Sequence, residues 1–109
     1  MSTRVLCVPI TDDEQVGPSW GKASAVAIAT VDNGAIESWR TEAVNWDVSH
    51  DEGTPGSHHA RVARFIQDNA ITTVLAFHMG EPMQNMLTKL GVDVQQGVAG
   101  NARVAVTSS

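Results

Sequence analysis

Four histidines, His50, His58, His59 and His78, hold most of the chemistry this chain could do. A neutral imidazole is a good ligand for zinc, copper, iron and nickel. His50, His58 and His78 make the leading candidate metal set. His59 is a weaker candidate, because adjacent helix residues point about 100° apart and cannot easily share one ion with each other. The spacing matches no zinc signature, with neither Cys-x-x-Cys nor His-Glu-x-x-His present. The lone cysteine, Cys7, is a second weaker candidate, since it stands in the middle of a predicted strand, where a buried, inert thiol is the expected case. Met83 and Met86 have the spacing of a helix's core face. Asp12, Asp13 and Glu14 read as a solvated turn. No glycine-rich phosphate loop follows the first strand, and no nucleophile elbow is present.

Composition narrows the classes further. At 109 residues the chain fits one domain, 1–109. Its hydrophobic fraction of 42% suits a packed core rather than disorder. A net charge of −5 argues against nucleic acid and against anionic membranes as partners. A single cysteine forbids an internal disulfide and fits a reducing compartment. With no secretory leader pattern and no apolar run of about 20 residues, a cytoplasmic, non-membrane protein is expected.

The elements that must position the histidines follow from pattern. Residues 4–10 (RVLCVPI) read as a strand buried on both faces. Residues 24–31 and 35–45 read as a hairpin about Asn33-Gly34. Residues 57–69 predict a helix capped by Ser57, 72–77 a buried strand, 82–90 a helix entered through Pro82, and 92–94 a short strand. Asn101 could cap a last helix, though Val104 and Val106 are poor helix formers. Val5, Leu6, Val8, Ile28, Ile66, Val74, Leu75, Met86 and Leu87 are the expected core. The expected fold is thus α/β, a mixed sheet with strand two antiparallel and helices against it. Strands one, three and four then end at one edge, where open α/β sheets bind ligands. All four histidines follow such strand ends. His58 and His59 fall in the predicted first helical turn, where the helix dipole disfavours imidazolium by ~0.3–1 kcal/mol. Free N–H groups at both helix starts suit an anionic ligand. The stretch 46–57 (WDVSHDEGTPGS) reads as a mobile binding loop around His50.

Several stretches together resemble the dinitrogenase iron–molybdenum cofactor biosynthesis family: VLCVP at 5–9, SWGKA at 19–23, Asn45, residues 50–56 with His58, LAFHMG at 75–80, and LTKLGVDVQQG at 87–97. The resemblance spans nearly the whole chain. It implies a ribonuclease-H-like fold with a mixed five-stranded sheet. It also implies carriage or insertion of an iron–sulfur or iron–molybdenum cluster, with a cluster-donor or acceptor protein as partner. Its motifs put Trp20, Gly21, Met79 and Gly80 beside His50, His58 and His78 as contacts. The chain departs where relatives often carry histidine and here Ser19 stands; His78 could restore that ligand. The expected function is therefore a metal- or cluster-binding carrier, not a catalyst. The alternative is an interaction module, with Trp20 and Trp46 as exposed anchors in loops. A nuclease is disfavoured, since RVLCVPI supplies no carboxylate for a two-metal site.

Overall fold

The computed structural model describes residues 3–49 and 53–109. The chain runs β1 (Thr3–Ile10), β2 (Ala25–Asp32), β3 (Ala35–Ala43), α1 (Trp46–Ser49), α2 (Pro55–Asp68), β4 (Thr73–Leu75), α3 (Glu81–Lys89), β5 (Asp93–Gln95) and α4 (Ala102–Ser108). The five strands form one mixed sheet in the order β3-β2-β1-β4-β5. β2 is antiparallel to β1 and β3, while β4 and β5 run parallel to β1. The hairpin turn forms because Asn33 and Gly34 both take positive φ, 53° and 80°, as a tight turn between twisted strands requires. Each later strand is reached through a helix, which is what a parallel pairing needs.

β1 is central, and its alternating side chains supply both faces of the core. Cys7 joins Ile28, Val62, Ile66, Val74 and Leu87 in the cluster packed against α2 and α3. Leu6 and Val8 join Val31, Leu75 and α4's Ala102 and Val106 on the other face. All nine expected core residues pack into these clusters, although Val5 and Met86 are only half-buried at the margin. Met86 loses the deep position to its neighbour Leu87, which is fully buried. The undecided tail is a helix: Asn101 Oδ1 accepts from the Val104 N–H at 3.1 Å, and Ala102 and Val106 are buried. Burying those side chains outweighs the few tenths of a kcal/mol that valine costs in a helix. The Arg103 guanidinium sits 4.4 Å over the Trp39 ring and 3.0 Å from Glu14, which ties α4 to β3 and to the loop after β1.

Two expectations change. α2 starts earlier than predicted, with Thr54 as its cap: Thr54 Oγ1 accepts from the Ser57 N–H at 3.1 Å, and Ser57 Oγ accepts from the Thr54 N–H at 2.9 Å. This reciprocal box wins because it satisfies two otherwise orphaned donors, and Pro55 suits the first helical position. His58 and His59 therefore lie a turn into the helix, where the dipole acts on them less than a first-turn position implies. The stretch 46–57 is not one long loop. Trp46–Ser49 is helical, Trp46 is buried, and Ser57 belongs to α2. The apolar area of Trp46 is what ordered this end. His50 lies outside the described residues. Among those residues, no helix is long and apolar enough to cross a membrane.

Leu87→Ala should cost ~2–5 kcal/mol in chemical unfolding, because a fully buried side chain leaves a cavity. A loss under about 0.5 kcal/mol would place α3's apolar stripe in solvent.

Candidate ligand cleft

At the carboxyl ends of β1 and β4 three backbone segments meet α2. Residues 19–23 form an irregular turn that is pinned at two points by backbone. The Trp20 N–H donates to the His78 carbonyl at 3.1 Å, and the Ala23 carbonyl accepts from the Trp46 and Asp47 N–H groups at 2.8 and 3.2 Å. Behind the turn the indoles of Trp20 and Trp46 meet edge to face, with centroids 5.1 Å apart, and Phe65 packs on Trp46 at 5.5 Å. Both tryptophans are buried, so they are core and not the exposed anchors expected of an interaction surface. Two large apolar rings beside a core gain too much from burial to stay in solvent.

In front of the turn lies an open cleft of about 460 Å³. His58, His59 and His78 line it, with Ser19, Gly21 and Lys22 along one wall and Gly80, Pro82 and Met83 at the start of α3. The structure thus brings His58 and His78 together, as their positions after strand ends predict, and adds His59. Gly21 and Gly80, named from the family motifs, line the cleft; Trp20 and Met79 are buried instead, and the Met79 N–H donates to Gln96 Oε1 at 3.2 Å. Ser19 and Lys22, within the SWGKA stretch but not among the expected contacts, also line it, as does Met83, expected only as core. Lys22 could have been found from its place beside Gly21 and from its charge.

The histidines differ in freedom. His58 is buried; its Nε2–H donates to the Gly21 carbonyl at 3.1 Å, and Arg61 Nη1 stands 3.4 Å from its Nδ1. His59 is half-buried and His78 exposed. Among the described residues, no three of histidine, cysteine, aspartate and glutamate gather as a metal site requires. Cys7 does not contribute, for it is wholly buried. Burial pushes its thiol far above the ordinary range, and the nearby Arg40 charge offsets only part of that.

The electrostatics point one way. The chain carries 12 acidic residues, yet among the described residues the cleft lining includes no carboxylate and does include a lysine. Gly80 caps α3 without a side-chain hydrogen bond, which leaves first-turn N–H groups for a ligand. Neither Gly21 nor Gly80 takes a positive φ, and an added Cβ would meet nothing closer than 3.9 and 4.0 Å respectively. Those glycines therefore keep the cleft open rather than relieve the backbone. Across residues 19–24 a second cleft of about 440 Å³ shares Ser19 and Lys22 with the first and is lined by Asp12 and, among the described residues, by no histidine. A cluster held by several cysteine thiolates of one chain does not fit a chain whose lone thiol is buried. An anionic cluster gripped as a unit by ammonium, imidazole and backbone N–H does fit.

A sequence model of the family described as dinitrogenase iron-molybdenum cofactor matches residues 3–108. No curated protein sequence matches the chain. Among solved structures, the apo form of the orange protein from Desulfovibrio gigas superposes with a TM-score of 0.70 at 18% identity, over 96% of this chain and 85% of that one. A candidate dinitrogenase from Methanocaldococcus jannaschii gives 0.68 at 10% identity, over 99% and 91%. A candidate NifB protein from Thermotoga gives 0.65 at 18% identity, over 96% and 85%. At these identities the likeness is one of fold.

The state of Cys7 sets a pH dependence. Above the ordinary thiol pKa of about 8.5 the unfolded chain loses this proton while the folded chain keeps it, so stability should fall as pH rises further. Urea unfolding at pH 7 and pH 10 should show the loss, and Cys7→Ala should remove that part of it. A native protein whose thiol reacts promptly with a disulfide reagent would contradict the burial.

Proposed function

The chain belongs to the dinitrogenase iron-molybdenum cofactor family, and we propose that it is an accessory protein that carries an anionic metal–sulfur cluster in the histidine cleft and hands it on without catalysing a reaction. The observation that carries this reading is a lysine-bearing cleft that no carboxylate of the described residues lines, in a chain of net charge −5. A hard divalent cation such as magnesium or calcium would favour carboxylates, which the described lining does not offer, and a zinc-type ion needs three ligands gathered on it, which the described residues do not supply. An anionic cluster finds the Lys22 ammonium on one wall, N–H groups at the start of α3 on another, and imidazoles between them. His59 and His78 supply those imidazoles, through soft, reversible contacts that suit cargo meant to be released. His50 adjoins α1 in sequence and is a further candidate. The cluster is of the iron–sulfur or iron–molybdenum type, and its source and destination are a donor and an acceptor protein. The orange protein's description as an apo form, a word for a protein without its ligand, agrees with a carrier.

Among the described residues no hydrogen bond pairs Ser19, the one hydroxyl of the lining, with His59 or His78, and β1 has no carboxylate, which supports a carrier over a hydrolase. A single exposed ion pair gives only ~0.2–1 kcal/mol, so binding must draw on several such contacts at once.

The test is anaerobic titration with tetrathiomolybdate. Lys22→Glu replaces attraction with repulsion and should weaken binding about tenfold, or ~1.4 kcal/mol. Lys89→Glu, at the far end of α3, should leave it unchanged. Equal loss in both variants, or a protein that takes up zinc or ferrous ion and ignores tetrathiomolybdate, would overturn the reading.

A further inference from the structure

We propose that His58, steadied by Arg61, is a positioning residue: it holds the Gly21 carbonyl and so sets where Lys22 stands in the cleft, which leaves the ligand to His59 and His78. The part that concerns the ligand rests on the cluster-carrier reading above. The part that concerns the turn does not.

The turn at residues 19–23 carries Ser19, Gly21 and Lys22 into the cleft and has no regular secondary structure to hold it. Three different elements pin it. The chain leaving β4 holds the Trp20 N–H through the His78 carbonyl, and the first N–H groups of α1 hold the Ala23 carbonyl. Lys22 lies between those two points, and there the third pin acts, the His58 Nε2–H on the Gly21 carbonyl at 3.1 Å. Among the described residues, no backbone N–H reaches that carbonyl. Without His58 the central peptide of the turn would have no anchor on α2.

The imidazole is itself fixed. It is buried, and it meets the Trp46 ring nearly perpendicular, at 85° and 6.4 Å between centroids. Arg61, one turn further along α2, places Nη1 3.4 Å from the His58 Nδ1 and 3.3 Å from the Ser49 carbonyl at the end of α1. A carbonyl can only accept, so the His58 Nε2 carries a proton and has no lone pair for a metal. Arg61 crowds the other ring nitrogen with a cation. His59, about 100° further round the helix, lines the same cleft without being engaged by the Gly21 carbonyl. The histidine pair therefore divides the work: one imidazole holds the wall and the other faces the cargo.

Tetrathiomolybdate is the probe. His58→Leu should weaken its binding about tenfold, the scale on which supporting contacts act on a bound metal group. His58→Gln, whose amide N–H can reach the same carbonyl, should restore most of it. In a Lys22→Ala background His58→Leu should cost nothing more, since a residue acting through Lys22 has nothing left to position. Glutamine as damaging as leucine, or additive losses in the double variant, would make His58 a ligand and overturn the proposal. A ligand-free arm separates this from failure of the carrier reading. If tetrathiomolybdate does not bind the unaltered protein, that reading falls. The positioning claim then stands or falls on nitrogen-15 imidazole spectra and amide shifts. It requires a protonated His58 Nε2, and amides at 21–23 that move in His58→Leu and stay in His58→Gln. A bare Nε2, or amides indifferent to both variants, would overturn it.

Discussion

Burial of the two tryptophans at the carboxyl edge of the sheet is the constraint on which the rest of this structure turns. Trp20 leaves β1's loop and Trp46 opens α1, yet their rings meet edge to face and close the top of the core. Each aromatic residue of this size removes 150–250 Å² from water, enough to order the short segments that carry them. Because Trp20 is anchored behind the turn, the residues just after it, Gly21 and Lys22, are left in front, on the cleft wall. Because Trp46 is anchored, α1 presents its first N–H groups to the Ala23 carbonyl and brings α2 close enough for His58 to reach Gly21. The cleft is thus the outer surface of an aromatic cluster, with its geometry inherited from the core.

The chemistry of the cleft follows from what that geometry admits. Helix α2 contributes imidazoles, α3 contributes a start without a side-chain cap, and the turn contributes an ammonium, while no carboxylate of the described residues lines the cleft, that of Glu81 in α3's first turn included. Asp12 faces the neighbouring cleft, and Glu14 is taken up by Arg103 on the other face of the sheet. Cys7 is the one thiol in the chain and is sealed inside β1 by the same packing that makes β1 central. A site of this kind can attract an anion and release it, which is what a carrier requires.

The fold was largely legible in the sequence because its signals are local. RVLCVPI, the Asn33-Gly34 turn and the two helical stripes each have one good solution, and together they imply the antiparallel placement of β2. What escaped was set by tertiary context. Tryptophan in a polar stretch looks exposed until the partner ring is placed, so the order of residues 46–49 was hidden. Ser57 and Thr54 are both good caps, and only the reciprocal pair chooses between them. The meeting of His58 and His78 was readable from strand ends, but the hydrogen bond that occupies His58 was not, since it spans 37 positions. Lys22 carried no periodic signal at all.

The most direct test of the central claim is amide chemical-shift mapping of the ligand-free protein as tetrathiomolybdate is added under anaerobic conditions. The cleft is small and bounded by three segments, so the perturbed amides should cluster at Gly21, Lys22, His59, His78 and Gly80 and spare the α4 face of the sheet. Shifts spread over the surface, or gathered around Asn101 and Val104 at the α4 end, would contradict an anionic cargo held in the histidine cleft.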